Sequence, residues 1–146
     1  MDLGLKDKVA LVTGASRGIG KRIALALAEE GAKLCVCART EEVLKEAARE
    51  IEAQGVEVAT AVQDVMTPEG AAGAVATAKE HFGGLDILIN NVGGSKWTPF
   101  VEISDGEWDE ILNLSFLSAV RVSRAAIPSM EERGGGSIIN ISSIFG

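Results

Sequence analysis

The segment Thr13-Gly14-Ala15-Ser16-Arg17-Gly18-Ile19-Gly20 lies between an apolar run at 9–12 and a helical pattern that begins at Ile19. Glycines bring backbone close to a ligand, and the free N–H groups and positive end of a helix attract an anion. Gly14, Ser16, Arg17, Gly18, Ile19 and Gly20 thus make a candidate seat for a pyrophosphate. Their spacing is G-x-x-x-G-x-G, which differs from the G-x-G-x-x-G fingerprint of many dinucleotide folds. Arg39 stands after the next apolar run, where such folds read the adenosine ribose. A carboxylate there accepts the 2′-hydroxyl of NAD, whereas an arginine offers a planar fork to the 2′-phosphate of NADP. Arg17 can reach the same phosphate. With two cations and no acid, NADP is the expected cofactor and NAD ranks second. The competing role for Arg39 is a surface pair with Glu41 or Glu42.

Other polar residues gather at predicted strand ends. Asp64-Val65 follows the third apolar run, on the side where open α/β sheets bind ligands; an Asx-type turn before the next helix is the equal alternative for Asp64. Asn90, Asn91 and Gly93 follow the fourth. Their amides can tie neighbouring strands, and Gly93 lets the chain pass close to a ribose. The stretch 94–100, with Lys96 and Trp97, is either one wall of a substrate cleft or an exposed loop. Cys35 and Cys37 lie two apart on one strand face, so they read as core thiols, and no metal site is expected. His81, the only histidine, ends a predicted helix and receives no catalytic role.

The elements that must position these residues follow from periodicity. The chain has 146 residues, 47% of them hydrophobic, with a net charge of −7 and a pI near 4.8. That balance lacks the basic face a nucleic acid would need, and no apolar run can span a bilayer. The first residues lack a signal-peptide layout, so the expected location is the cytoplasm. Strands are predicted at 9–12, 33–38, 56–62, 85–89 and 137–141. Between them lie helices with stripes at Ile19, Ile23 and Leu27, then Val43, Leu44, Ala47, Ala48 and Ile51, then 72–82. Thr67-Pro68-Glu69 and Ser104-Asp105-Gly106-Glu107 are helix starts, the second opening one long helix from Trp108 to about 133. Alternating strands and helices give an α/β class with a doubly wound parallel sheet of about five strands, residues 1–146 forming one dinucleotide-binding domain.

The Thr13-led glycine turn, Asn90-Asn91-Val92-Gly93, and Trp108-Asp109-Glu110-Ile111-Leu112-Asn113-Leu114-Ser115 together resemble the short-chain dehydrogenase/reductase family, in particular its 3-oxoacyl-carrier-protein-reductase-like members. The resemblance covers the whole chain. It implies a Rossmann-like fold, an adenine contact at Asp64-Val65, and the NADP-preferring pattern in Arg17 and Arg39. It also implies a homo-oligomer built on the long helix, whose second stripe is Leu114, Leu117 and Val120. By the same resemblance Ser143 donates a hydrogen bond to a carbonyl oxygen as it gains charge. The position of the family's active-site asparagine holds Ser115 here, not the nearby Asn113. Ser115 can hold a water or bond back to a helix carbonyl. The family's acid/base pair lies in a Tyr-x-x-x-Lys pattern, and this chain has no tyrosine. It therefore looks like a truncated enzyme, lacking the family's C-terminal strands and helices. The implied parent reaction is hydride transfer between NADP(H) and a small carbonyl or secondary alcohol, with no nucleic-acid or membrane partner. The alternative is a nucleotide-binding module without chemistry.

Overall fold

Every residue of the strand Val9–Thr13 (β1) is buried, which requires cover on both faces of the sheet that contains it. The computed structural model, which describes residues 1–143, supplies that cover. In chain order β1 is followed by α1 (Gly18–Glu29), β2 (Lys33–Ala38), α2 (Glu41–Glu52), β3 (Val58–Val62) and α3 (Pro68–Phe82). Then come β4 (Ile87–Asn90), α4 (Asp105–Leu112), α5 (Ser118–Glu132) and β5 (Ser137–Asn140). The strands form a parallel sheet in the order β3-β2-β1-β4-β5. Alternate residues sort the core into two layers. Ala10, Val12, Leu34, Val36, Ile87 and Ile89 pack with α1 and α2, while Leu11, Cys35, Cys37 and Leu88 pack with α3 and α5.

The helices on the two layers sit close because their sheet-facing residues are small. α1 buries Gly20, Ala24 and Ala28, a stripe offset from the expected Ile19, Ile23 and Leu27. Ile19 is exposed, while Ile23 and Leu27 flank the buried line. α3 likewise buries Gly70, Ala71, Ala74, Val75 and Ala78, with Thr67 Oγ1 capping the Gly70 amide at 3.0 Å. The two cysteines are free and buried, and burial pushes both thiols up to about 12.

The predicted long helix runs unbroken from Asp105 to Glu132, opened by the Ser104–Glu107 capping box as expected, with a π turn at Asn113–Leu117 inside it between α4 and α5. α4 buries nothing among the described residues, and Trp108, Leu112, Phe116 and Leu117 all stay exposed. The face of α5 that packs on the sheet is Ser118, Val122, Ala126, Ser129 and Met130. A π turn adds a residue to one turn, so spacing counted from Trp108 does not carry through to this face. β5 is exposed along its length, with Ile138 and Ile139 open on its faces.

At the amino edge of the sheet one carboxylate joins several elements. Asp86 accepts from the Val9 amide at 2.8 Å and from Arg133 Nε and Nη2 at 2.8 and 3.0 Å, while its own carbonyl accepts from Ser137. Burial pushes the Asp86 carboxyl up. The Arg133 and Val9 hydrogen bonds, with the charges of Arg133 and Lys8, outweigh burial and hold it below the ordinary aspartate value. A depressed folded value means stability that is complete above the unfolded pKa of about 3.9 and is lost as pH falls through the folded value. Denaturant titrations should therefore show stability falling below about pH 4.5 with a smaller slope in Asp86→Asn than in the native chain. Asp86→Ala should cost about 2–4 kcal/mol at pH 7, since it strands a guanidinium and an amide.

Candidate functional site

The strand order reverses between β1 and β4, and the crevice outside the carboxyl ends of such strands is where doubly wound sheets take ligands. Gly14 leaves β1 with φ +63° and Gly18 enters α1 with φ +58°, both in the left-handed region that glycine adopts freely. Between them the Ala15 amide donates to the Cys37 carbonyl at 3.1 Å, which fastens the turn to the end of β2. Gly20 has a different reason to be glycine. A Cβ there would lie 2.4 Å from the Gly14 carbonyl oxygen and 2.5 Å from Asn91 Nδ2.

The other side of the crevice is tied to the same turn. Thr13 Oγ1 donates to the Ile89 carbonyl at 3.3 Å and accepts from the Asn91 and Val92 amides at 3.0 and 3.4 Å. Asn91 Nδ2 donates to the Gly14 carbonyl at 3.2 Å, and Asn90 Nδ2 donates to Ser123 Oγ and Asn140 Oδ1. The asparagine pair thus joins β1, β4, β5 and α5.

A cavity of about 380 Å³ opens between these walls. Of the residues singled out by sequence, Gly14, Ser16, Arg17, Arg39, Asp64, Val65, Asn91 and Gly93 line it. Gly18, Ile19 and Gly20 do not; Gly18 and Gly20 shape the turn, and Ile19 points to solvent. Arg17 and Arg39 are exposed at the rim, and neither makes an ion pair among the described residues. Glu41 pairs with Lys45 at 2.5 Å instead of Arg39, and the Lys45 hydrogen bond and charge hold its carboxyl below the ordinary value. Asp64 Oδ1 accepts from the Met66 amide at 3.0 Å, an Asx turn that faces the cavity and leads into the Thr67 cap.

The two serines stand apart from this cavity. Ser115 Oγ donates to the Gly94 carbonyl at 3.0 Å and accepts from the Gly94 amide at 3.2 Å. It therefore bonds across to the loop after β4, and the serine that bonds back along the helix is Ser118, to the Leu114 carbonyl. Asn113 is turned away from Ser115 and accepts from Arg121. Ser143 is exposed just past β5, whose pairing extends through the Ile141 amide to the Asn90 carbonyl. Lys96 is held by Glu110 at 3.1 Å and Glu107 at 3.6 Å, Trp97 is exposed, and His81 stacks edge-on against Phe82.

Cys37, Val43, Gln63, Met66 and Leu114 also line the cavity. Val43 is legible in retrospect, because it lies on the first turn of α2, directly after Arg39 and Thr40. Thr40 starts that helix without a side-chain cap bond. Met66 and Leu114 come from turns whose shape periodicity does not carry.

The family model for short chain dehydrogenases matches residues 8–146. The chain belongs to the short chain dehydrogenase family. An oxidoreductase of Staphylococcus aureus strain USA300, described as uncharacterised, is 38% identical over 142 residues, which is 97% of this chain and 61% of the relative. The crystal structure of L-sorbose reductase from Gluconobacter frateurii, complexed with NADPH and L-sorbose, superposes with a TM-score of 0.95 at 43% identity. It covers 99% of this chain and 55% of its own. NAD⁺-bound xylitol dehydrogenase superposes with a TM-score of 0.92 at 32% identity over 97% of this chain and 55% of that one. The chain thus spans somewhat more than half the length of the relatives it matches. The family's nicotinamide dinucleotide fits the residues present: the left-handed turn at Gly14 and Gly18, the backbone approach that Gly20 permits, and the open cavity beyond.

The two glycines of the turn separate by mechanism. Gly20→Ala forces the Gly14 carbonyl or Asn91 to move and should cost about 1–3 kcal/mol. Gly18→Ala meets open space and pays only for its left-handed backbone, about 1–2 kcal/mol. Chemical denaturation should show both losses.

Proposed function

We propose that residues 1–146 form the dinucleotide-binding domain of an NADP(H)-dependent oxidoreductase that interconverts a small carbonyl compound and a secondary alcohol. The observation that carries the reading is the pair Arg17 and Arg39, unpaired with any carboxylate among the described residues and both on the cavity that the glycine turn opens. A guanidinium left without a partner is free to make bidentate, charge-assisted bonds to a 2′-phosphate. The relative bound to NADPH supports this choice, and the one bound to NAD⁺ shows that the fold itself does not dictate it.

In this reading the amides at Ser16 to Ile19 and the first turn of α1 hold the pyrophosphate, Asp64 and Val65 flank the adenine, and Asn91 and Gly93 border the ribose on the far side. When bound, the cofactor supplies or accepts the hydride. Ser143 donates a hydrogen bond to the carbonyl oxygen as negative charge develops, which is where a preorganised donor lowers a barrier most. Ser115 keeps the Gly94 loop in place beside it. The oxyanion also needs a proton, and serine is too weak an acid to give one near neutral pH. Among the remaining groups Lys96 is engaged with Glu107 and Glu110, and His81 lies at the end of α3. The proposed protein is cytoplasmic and a homo-oligomer; no helix among the described residues is long and apolar enough to cross a membrane. A second reading, a dinucleotide-binding module without chemistry, rests on the same glycine turn and Arg39 at the cavity.

Calorimetry should show NADPH binding more tightly than NADH, with Arg39→Ala removing most of the difference, on the order of 1–3 kcal/mol. Equal affinities in the native chain would refute the NADP assignment. NADPH oxidation with a panel of ketones and 3-oxoacyl thioesters should be absent for residues 1–146. It should appear when the chain is extended through a Tyr-x-x-x-Lys helix and then depend on Ser143. Continued inactivity of the extended chain would favour the binding module.

A further inference from the structure

Resting on the dinucleotide reading, we propose that Arg121 is a positioning residue for the cofactor, a brace that sets the two walls of the cavity against each other. Arg121 projects from the start of α5 and is half-buried. Its Nη1 donates to the Met66 carbonyl at 3.1 Å and to Asn113 Oδ1. Met66 lines the cavity on the β3 side, and Leu114, next to Asn113, lines it on the π-turn side. One guanidinium nitrogen therefore spans the gap between the walls.

Both attachment points are themselves fixed. The Met66 amide is held by Asp64 Oδ1, so the turn at 64–66 is gripped at its amide by Asp64 and at its carbonyl by Arg121. On the other side the π turn presents Asn113 to Arg121 and Ser115 to Gly94, so the turn that carries the cavity-lining Leu114 is held from both sides. Among the described residues no carboxylate pairs with Arg121. A half-buried cation on neutral oxygens is a poor choice for stability alone, since an apolar side chain of similar length would serve the packing as well. What an apolar residue cannot do is hold a carbonyl and an amide oxygen at a set separation.

The test uses residues 1–146 with two probes, NADPH and adenosine 2′,5′-bisphosphate, followed by calorimetry. Arg121→Met should weaken both five- to twentyfold, because the braced turn flanks the adenine half. The NADPH-to-NADH preference should stay unchanged, unlike in Arg39→Ala. Asn113→Leu should weaken both probes in the same direction, while Asn113→Asp, which keeps an acceptor for Arg121, should hold affinity within twofold. Without ligand, amide exchange at 65–67 should quicken in Arg121→Met while the strands keep their protection. If Arg121→Met does not fold, Asn113→Leu and Arg121→Lys carry the comparison. Unchanged affinity in a folded variant, or loss for NADPH without loss for the bisphosphate, overturns the brace and leaves the dinucleotide reading standing. A native chain that binds neither probe overturns that reading, and the brace with it.

Discussion

The carbonyl oxygen of Gly14 is the point from which the carboxyl edge of this sheet is assembled. It takes the Asn91 amide at 3.2 Å, and it lies where any side chain on Gly20 would collide with it. Helix α1 can therefore approach β1 this closely because residue 20 has no Cβ, and Gly14, turning left-handed, offers its carbonyl to the residues after β4, adding to the β1–β4 ladder. Thr13 completes the join with bonds to both β4 and the residues after it. The cavity that results is a consequence of backbone packing; its polar lining comes second.

The same economy of size runs through the inner layers. Gly20, Ala24 and Ala28 on α1 and Gly70, Ala71, Ala74 and Ala78 on α3 let both helices lie close on strands made of larger aliphatics. Close approach replaces bulk as the source of contact. The large side chains are placed elsewhere. Trp97, Phe100 and Phe116 are exposed, and Phe100 meets the half-exposed Trp108 edge-on at a centroid distance of 6.0 Å. That surface and the open faces of β5 contribute nothing to the core of the described residues.

Charge is distributed with comparable economy. The chain is acidic overall, yet among the described residues the two arginines at the cavity rim are left without carboxylates, while Lys45 takes Glu41, the nearest candidate partner of Arg39 in sequence. At the opposite edge Asp86 does the reverse, gathering Arg133 and the Val9 amide to hold three strands in register. One edge of the sheet is thus closed by satisfied charge and the other is held open by backbone and neutral amides.

Local chemistry was enough to read the βαβ order, the parallel α/β class, the two helix starts at Thr67 and Ser104, and the glycine turn, because each depends on neighbours within a few residues. The cysteine pair also followed from a period of two along one strand. Where an outcome hangs on which face of a helix meets the sheet, periodicity was offset: α1 centres its buried line on Gly20, Ala24 and Ala28 with Ile23 and Leu27 packed beside it, since small residues win where a helix must come near. The long helix read from Trp108 to about residue 133 is present, but a π turn at Asn113–Leu117 lies within it and shifts the packing face of α5 relative to α4. The sequence by itself determined that a glycine turn would follow β1 and that Arg17 and Arg39 would stand beside it. Only the tertiary structure decided that Ser115 would reach Gly94, that Arg121 would reach Met66, and that Val43 and Leu114 would face the cavity, because Gly94 lies 21 residues from Ser115 and Met66 lies 55 from Arg121, and their approach is set by packing.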